Sequence, residues 1–261
     1  QRVLNVQQKR QEHAAQALAS GSRIVNTADD AAGLAISESL KANIRGVAQA
    51  RNNAFNAGSA IQVSEGGLNE INNILIRMRE LGIQAASDNI GEKERGYLNA
   101  EVKQLSEEHE RIAKTTKFGD KVLLDGSGGV QEYHVGPTSG EENIIKFSLS
   151  TDARADELGG AGLDIADKAG ARNALEKVDK ALDKMGSMRA NFGSIQSRLN
   201  TTTSSLDIQY ENLSAANSRI RDTYVAKETS EIASASILQN AAISVLSKAN
   251  TFPQVAMKLI G

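Results

Sequence analysis

The chain has no cysteine and no tryptophan, only two prolines, and 3% aromatic residues in 261 positions. Without cysteine there are no disulfides, no thiolate catalysis and no Cys-ligated zinc or iron–sulfur centre. So few rings argue against a thick globular core, which usually leans on large aromatic side chains. The near-absence of proline leaves long helices uninterrupted, because proline is the main interior helix breaker. No apolar run reaches the ~20 residues that a membrane-spanning helix needs. The net charge is −2, and no basic stripe interleaved with aromatics is present, which excludes nucleic acid as a partner. No basic, then apolar, then small-residue leader opens the chain. It begins at Gln1 rather than Met, so its first residues say little about export.

What is present is 40% hydrophobic residues, mostly Ala, Leu, Ile and Val, a composition suited to thin seams between helices. The stretch NTADDAAGLAISESLKANIRG, residues 26–46, reads as the start of a helix. Thr27 is placed to cap it, with Asp30 three residues on as in a variant capping box. Asp29 and Asp30 in the first turn oppose the positive end of the helix dipole. Adjacent helical residues point ~100° apart, so these carboxylates do not form a shared catalytic site.

The periodicity then continues. Leu40, Val47, Ala54, Ile61, Leu68 and Leu75 recur every seventh residue, with Ile36, Asn43, Ala50, Ala57, Ser64, Ile71 and Met78 as companions. One helix over about residues 29–86 would be roughly 87 Å long, against a radius of gyration of about 18 Å for a compact domain of this size. A rod is expected. Its glycines, Gly66-Gly67 above all, serve either close helix approach or a local bend.

A polar turn, SDNIGEKERGY, leads to a second helix over about 92–116, with Leu98, Val102, Leu105, His109 and Ile112 at 4,3 spacing. The short turn predicts antiparallel packing on the first helix, and Glu107–Arg111 and Glu110–Lys114 are favourably oriented i,i+4 pairs. From Phe118 the grammar changes. KVLLD, VQEYHV and NIIKFSLS are short β-type runs separated by turn-rich GSGG and GPTSGEE, predicting one or two hairpins over about 118–150. Residues 151–171 read as a surface excursion with one short helix.

Helical spacing returns over about 171–222. Leu175, Val178, Leu182 and Met185 form one seam. After a phase slip, Phe192, Ile195, Leu199, Thr202, Leu206, Gln209, Leu213, Ala216 and Ile220 form another. Ala235, Leu238, Ala242, Val245, Ala249 and Phe252 continue the spacing near the C-terminus, and Leu4, Ala15 and Leu18 mirror them near the start. Both terminal helices have apolar faces. The simplest solution pairs them with each other and then with neighbouring copies, because SILQNAAISVLSKA carries a single charge, Lys248.

Motifs for chemistry are few. His109 sits in EEHE, yet no HExxH or ExxH arrangement accompanies it, and a packing histidine is the simpler reading. GSGGV lacks the Gly-Lys-Ser/Thr of a phosphate loop, and no serine lies in a GxSxG elbow. The N-x-S/T matches at Asn200 and Asn212 fall on a predicted helix and read as chance. No enzyme activity, cofactor or metal is expected.

The segment LASGSRIVNTADDAAGLAISESLKANIRGVAQARNNAFNAGSAIQVSEGGLNEINNILIRMRELGIQAAS resembles the N-terminal region of bacterial flagellin along its whole length. NSRIRDTY and ASILQNAAISVLSKANTFPQVAMKLI resemble the C-terminal region, and FGDKVLLDG and YHVG are similar to the flagellin β region. The resemblance implies a mainly α fold, an elongated rod of long antiparallel coiled-coil helices with a small β-hairpin insert. Residues 1–28 and 226–261 would be terminal helices of an inner tube, with about thirteen family residues missing before Gln1. Residues 29–225 would form the rod, with a short variable segment at about 150–172. Leu4, Leu18, Leu238, Val245 and Phe252 are expected to pack the tube.

The resemblance further implies a structural subunit of the flagellar filament, extracellular and exported by the flagellar type III apparatus. Implied partners are other copies, an export chaperone on the C-terminal helix, and the filament cap and hook-junction proteins. A hook–filament junction protein, which shares the terminal helices, is the alternative. RMRELGIQ supplies Arg77 and Leu81, one turn apart on one face, and the next helix supplies Glu101. These are the residues that the Toll-like flagellin receptor of animals would recognise. RIRDTY departs from the family's acidic RIEDADY by placing Arg221 in it.

Overall fold

The computed structural model describes residues 2–149 and 152–260, with side chains through residue 249. Contacts divide the chain into two units, one made of Gln1–Arg45 with Gln209–Gly261 and the other of Gly46–Ile208. Helices α2 (Ala31–Ala85) and α5 (Lys168–Arg221) contribute residues to both. Mainly helical architecture with a small β component follows, as the composition predicts.

In the Gly46–Ile208 unit, α2 runs antiparallel to α5. Three exposed ion pairs set the direction: Arg51–Asp207 at 3.0 Å, Glu65–Arg189 at 3.8 Å and Arg79–Asp179 at 2.7 Å. As one index rises the other falls. The second helix, α3 (Glu92–Thr115), folds back on α2. Its N-terminus is closed by the Glu94 carboxylate accepting the Gly91 N–H at 2.7 Å. Arg95 donates to the carbonyls of Ala85 and Ser87 at 2.8 and 2.9 Å, locking the turn. Of the two predicted i,i+4 pairs, Glu110–Lys114 forms at 2.9 Å, whereas Arg111 turns to Glu108 at 2.6 Å instead of Glu107.

The predicted seam of α2 holds from Val47 onward: Val47, Ala50, Ala54, Ala57, Ile61, Ser64, Leu68, Ile71, Leu75 and Met78 are all buried. Ser64 is satisfied by its own helix, donating to the Ala60 carbonyl at 2.9 Å. Nearer the start the register differs. Ile36 is 54% exposed and Asn43 is exposed, while Gly33 and Ser37 are buried. There the companions follow Gly33 and Leu40 by four residues rather than three. On α5 the phase slip is absent. Ala171, Ala174, Val178, Ala181, Met185, Phe192, Leu199 and Leu206 are buried on one unbroken 3,4 seam, with Met188, Ile195 and Thr202 half-buried between them. Leu175 and Leu182 flank the seam whose centre is taken by alanines.

Gly67 is a close-approach position: a Cβ there would lie 2.7 Å from Thr116 Oγ1 and 2.8 Å from a Leu124 methyl. β1 (Lys117–Phe118) pairs with β2 (Lys121–Val122), and β3 (Val130–His134) pairs antiparallel with β4 (Ile144–Ser148). Ile145 and Phe147 face the core, and Tyr133 stacks on Phe147 at 5.3 Å. Residues 152–165, with the single turn α4 (Ala155–Leu158), are not a surface excursion. Ala153, Ala155, Leu158, Leu163 and Ile165 are buried, so their apolar side chains draw this segment down onto α3.

In the other unit, α1 (Arg2–Ser20) packs along α6 (Val225–Ile260). Gln7, Ala14 and Ala17 are buried on α1, and Ala235 on α6. Ala15, placed in this seam by its spacing, is exposed, and its neighbour Ala14 takes the position.

Candidate assembly and recognition surfaces

The terminal helices carry large apolar side chains that their mutual packing does not cover. Val3, Val6, Ile237, Leu238, Ile243 and Val245 are all exposed, Val245 by 66%. Leu4, Leu238 and Val245, three of the expected tube-packing residues, line one apolar cleft of about 380 Å³ together with Val3, Ala241, Ala242, Leu246 and Ala249. Leu18 is half-buried elsewhere on α1. Phe252 lies outside the residues whose side chains are described. A contiguous apolar surface of this kind marks an interaction site on a chain that carries water-compatible residues elsewhere.

The turn before α2 is built from the two aspartates, which do separate jobs. Asp29 accepts the N–H groups of Val25 at 3.1 Å and Asn26 at 2.8 Å, and its carboxylate lies 3.2 Å from His13 Nε2. The Asn26 N–H, aided by His13 and Val25, holds its pKa below the usual carboxylate range against the opposing effect of desolvation. Asp30 is the true helix cap: its Oδ1 accepts the Gly33 N–H at 2.8 Å and its carbonyl accepts the Leu34 N–H at 2.9 Å. Thr27 lies too early in the chain for that role. On the facing strand of chain, Arg23 donates to the Ile220 carbonyl at 2.8 Å, and Ser22 pairs with Asp222. Arg221 forms a short ion pair with Glu38 and reaches Ser37 at 3.5 Å.

Arg77 and Glu101 are brought together at 2.9 Å, with Glu80 at 3.1 Å from the same guanidinium. The Arg77 side chain is 50% exposed, and its pKa is raised by Glu101 first and Glu80 second. Leu81 does not join them. It is 1% exposed and belongs to the core of the Gly46–Ile208 unit. A step of four residues from Arg77 turns the helix by ~400°, about 40° past alignment, enough here to move Leu81 from the solvent face to the seam.

His109 is buried, and Nε2 lies 2.8 Å from the Ala153 carbonyl. Burial pushes its pKa down, with the Ala153 carbonyl and Glu110 pulling the other way. Among the described residues no group of three His, Cys, Asp or Glu side chains is arranged to hold a metal ion. No described helix is long and apolar enough to cross a membrane.

Comparison with known proteins bears on both ends of the chain. Residues 1–128 match the family described as the bacterial flagellin N-terminal helical region, and residues 175–260 match the bacterial flagellin C-terminal helical region. A curated flagellin of Halalkalibacterium halodurans is 42% identical over 244 residues, covering 93% of this chain and 89% of that protein. The chain belongs to the bacterial flagellin family. The flagellar filament core protein flaB2 of Brachyspira hyodysenteriae is 37% identical over 256 residues, spanning 94% of this flagellin and 90% of the relative. The crystal structure of Bacillus cereus flagellin aligns with a TM-score of 0.54 at 29% identity, covering 64% of this chain and 94% of that one.

Sequence reasoning missed one set of residues in this flagellin. Asn99, on α3, accepts the Ile165 N–H at 3.0 Å and donates to Asp164 at 2.9 Å, and Ser106 donates to the Gly160 carbonyl at 2.9 Å. The available signal was an Asn, a Ser and a His at positions 99, 106 and 109 along one side of a helix, polar groups with no reason to line an apolar seam.

Proposed function

We propose that this flagellin is a structural subunit that polymerises into the bacterial flagellar filament and serves swimming motility. The observation that carries the reading is the apolar cleft between α1 and α6, on a chain whose two ends both match the flagellin helical regions. A surface that meets a different surface on the next copy generates an open helical assembly when the rotation between copies does not close into a ring. In this reading the two terminal helices line the inner tube of the filament, packed through Leu4, Leu18, Leu238 and Val245, with Phe252 assigned from its spacing alone. The apolar face of α6 explains why an export chaperone would hold it before assembly, and export by the flagellar type III apparatus places the filament outside the cell. The cap and hook-junction proteins complete the set of partners. Identities of 42% to a flagellin and 37% to a flagellar filament core protein, over 93% and 94% of this chain, favour the filament over the hook–filament junction alternative.

Seeded growth tests the proposal. Filament fragments should be extended by the native protein, and not by Val245→Asp, which places a charge in the apolar surface while leaving the α-helical circular dichroism intact. Extension by the variant at the native rate contradicts this use of the surface.

The exposed Arg77–Glu101 pair supports recognition by the Toll-like flagellin receptor of animals, with Leu81 contributing through the packing that holds α2 in place. Arg77→Ala and Glu101→Ala should each lower receptor signalling by about tenfold or more, as expected for a central charged contact. Unchanged signalling would leave the pair with a packing role only.

A further inference from the structure

Residues 152–165 run antiparallel along α3 like a strap, and four α3 side chains grip its backbone. The His109 imidazole donates from Nε2 to the Ala153 carbonyl at 2.8 Å. Glu110 accepts the Ala155 N–H at 2.9 Å, Ser106 donates to the Gly160 carbonyl at 2.9 Å, and Asn99 accepts the Ile165 N–H at 3.0 Å. A carbonyl oxygen only accepts, so Nε2 carries the proton and Nδ1 is a bare acceptor. Nothing in the described structure reaches Nδ1, and the His109 ring is 0% exposed. Gly160 lies flat against that edge: a Cβ there would stand 3.0 Å from Nδ1. A second proton on the ring therefore finds no acceptor among the described residues and points at the strap.

We propose that His109 makes this strap an acid-operated latch, in which protonation of Nδ1 releases residues 152–165 from α3 and uncovers the core face beneath Leu158 and Leu163. The charged groups around the ring do not cancel the effect. Glu110, on α3, is engaged by the Ala155 N–H and by Lys114 at 2.9 Å. On the strap, Asp152 is taken up by Arg154, and in α4 the Glu157 carbonyl accepts from Lys184 of α5 at 2.8 Å. From α2 the nearby side chain is the apolar Leu75.

The sign follows from linkage. Burial lowers the His109 pKa in the latched state, so the released strap binds the proton more readily. Latch stability is therefore complete above the ordinary histidine value, about 6.5, and is lost as pH falls from there through the lowered value. Glu110 reinforces this at more acid pH. Burial alone would raise its pKa, but Lys114 and the Ala155 N–H outweigh that and keep it low.

The absence of native cysteine allows a direct test. Ala155→Cys places a thiol at a buried strap position, and Ala174→Cys places one on the buried seam of α5 as a control for general opening. Both are reacted with a pyridyl disulfide, which modifies thiols in acid, and the ratio of the two rates cancels the fall in thiolate fraction. The ratio should rise about tenfold between about pH 7.5 and about pH 5, and should stay flat when H109Q is added. A flat ratio with His109 present, or an equal rise with H109Q, overturns the latch. Ring signals of His13, His109 and His134 in the unsubstituted protein give a second reading that needs no variant. Titration of His109 coinciding with loss of exchange protection at the Ala155 and Ile165 amides supports the latch. Its titration with protection retained overturns it.

Discussion

At the scale of single residues, small side chains decide most of what is unusual in this chain. Glycine in a helix interior costs ~1 kcal/mol against alanine unless its lack of a side chain is used. Gly67 uses it, since Thr116 and Leu124 occupy the space that a Cβ would fill, whereas a Cβ at Gly58 would meet nothing within 4 Å. Gly58→Ala should therefore stabilise the monomer by about 0.5–1 kcal/mol, and Gly67→Ala should destabilise it by ~1–3 kcal/mol through overpacking. Urea denaturation followed by circular dichroism distinguishes the two, and equal effects would contradict the close-approach role. The sequence left open whether the paired glycines allowed approach or a bend, because the answer depends on where Thr116 and Leu124 arrive from elsewhere in the chain. The structural role of Asp29 and Asp30 was legible. Which of Thr27 and Asp30 caps the helix was not, since it turns on a shift of the helix start that composition does not specify.

At the scale of elements, the long helices were legible because two signals agreed, sustained seven-residue spacing and the scarcity of proline. The errors came from weighting leucine above alanine. On α5 the leucines at 175 and 182 suggested a slip that the buried alanines at 171, 174 and 181 show to be absent. On α2 the same preference put Ile36 in the seam that Gly33 and Ser37 in fact occupy. In both places a close seam selects the smallest residue. A matched pair of substitutions checks the corrected register. Ile61→Ala, at a fully buried seam position, should cost ~2–5 kcal/mol. Ile36→Ala should change stability by less than about 0.5 kcal/mol. A large loss at Ile36 would restore the register expected from spacing alone. The strap at 152–165 was not legible as a buried element, because its buried residues Ala153, Ala155, Leu158, Leu163 and Ile165 follow neither a helical nor an alternating spacing and sit among glycines and charged residues, and the α3 side chains that hold its backbone leave no mark in its own sequence.

At the scale of the whole molecule, family membership was readable from long stretches at both ends, and the matches to both helical regions agree with it. The recognition site was less readable. The sequence places Arg77 and Leu81 close together, but only packing shows that the first meets solvent and Glu101 while the second is consumed by the core. The apolar surface of α1 and α6 is the feature that a single copy leaves unexplained, since Val3, Leu238 and Val245 stay in contact with water unless another copy covers them. Polymerisation resolves this, and the central claim is that copies of this chain build the filament itself. An electron-microscopic reconstruction of the native flagellum tests it most directly. The account predicts density for α1, α2, α5 and α6 at every position of the helical lattice, with the exposed apolar face of α1 and α6 buried between copies. A filament built from another protein, with this chain confined to the hook junction or missing, would contradict it.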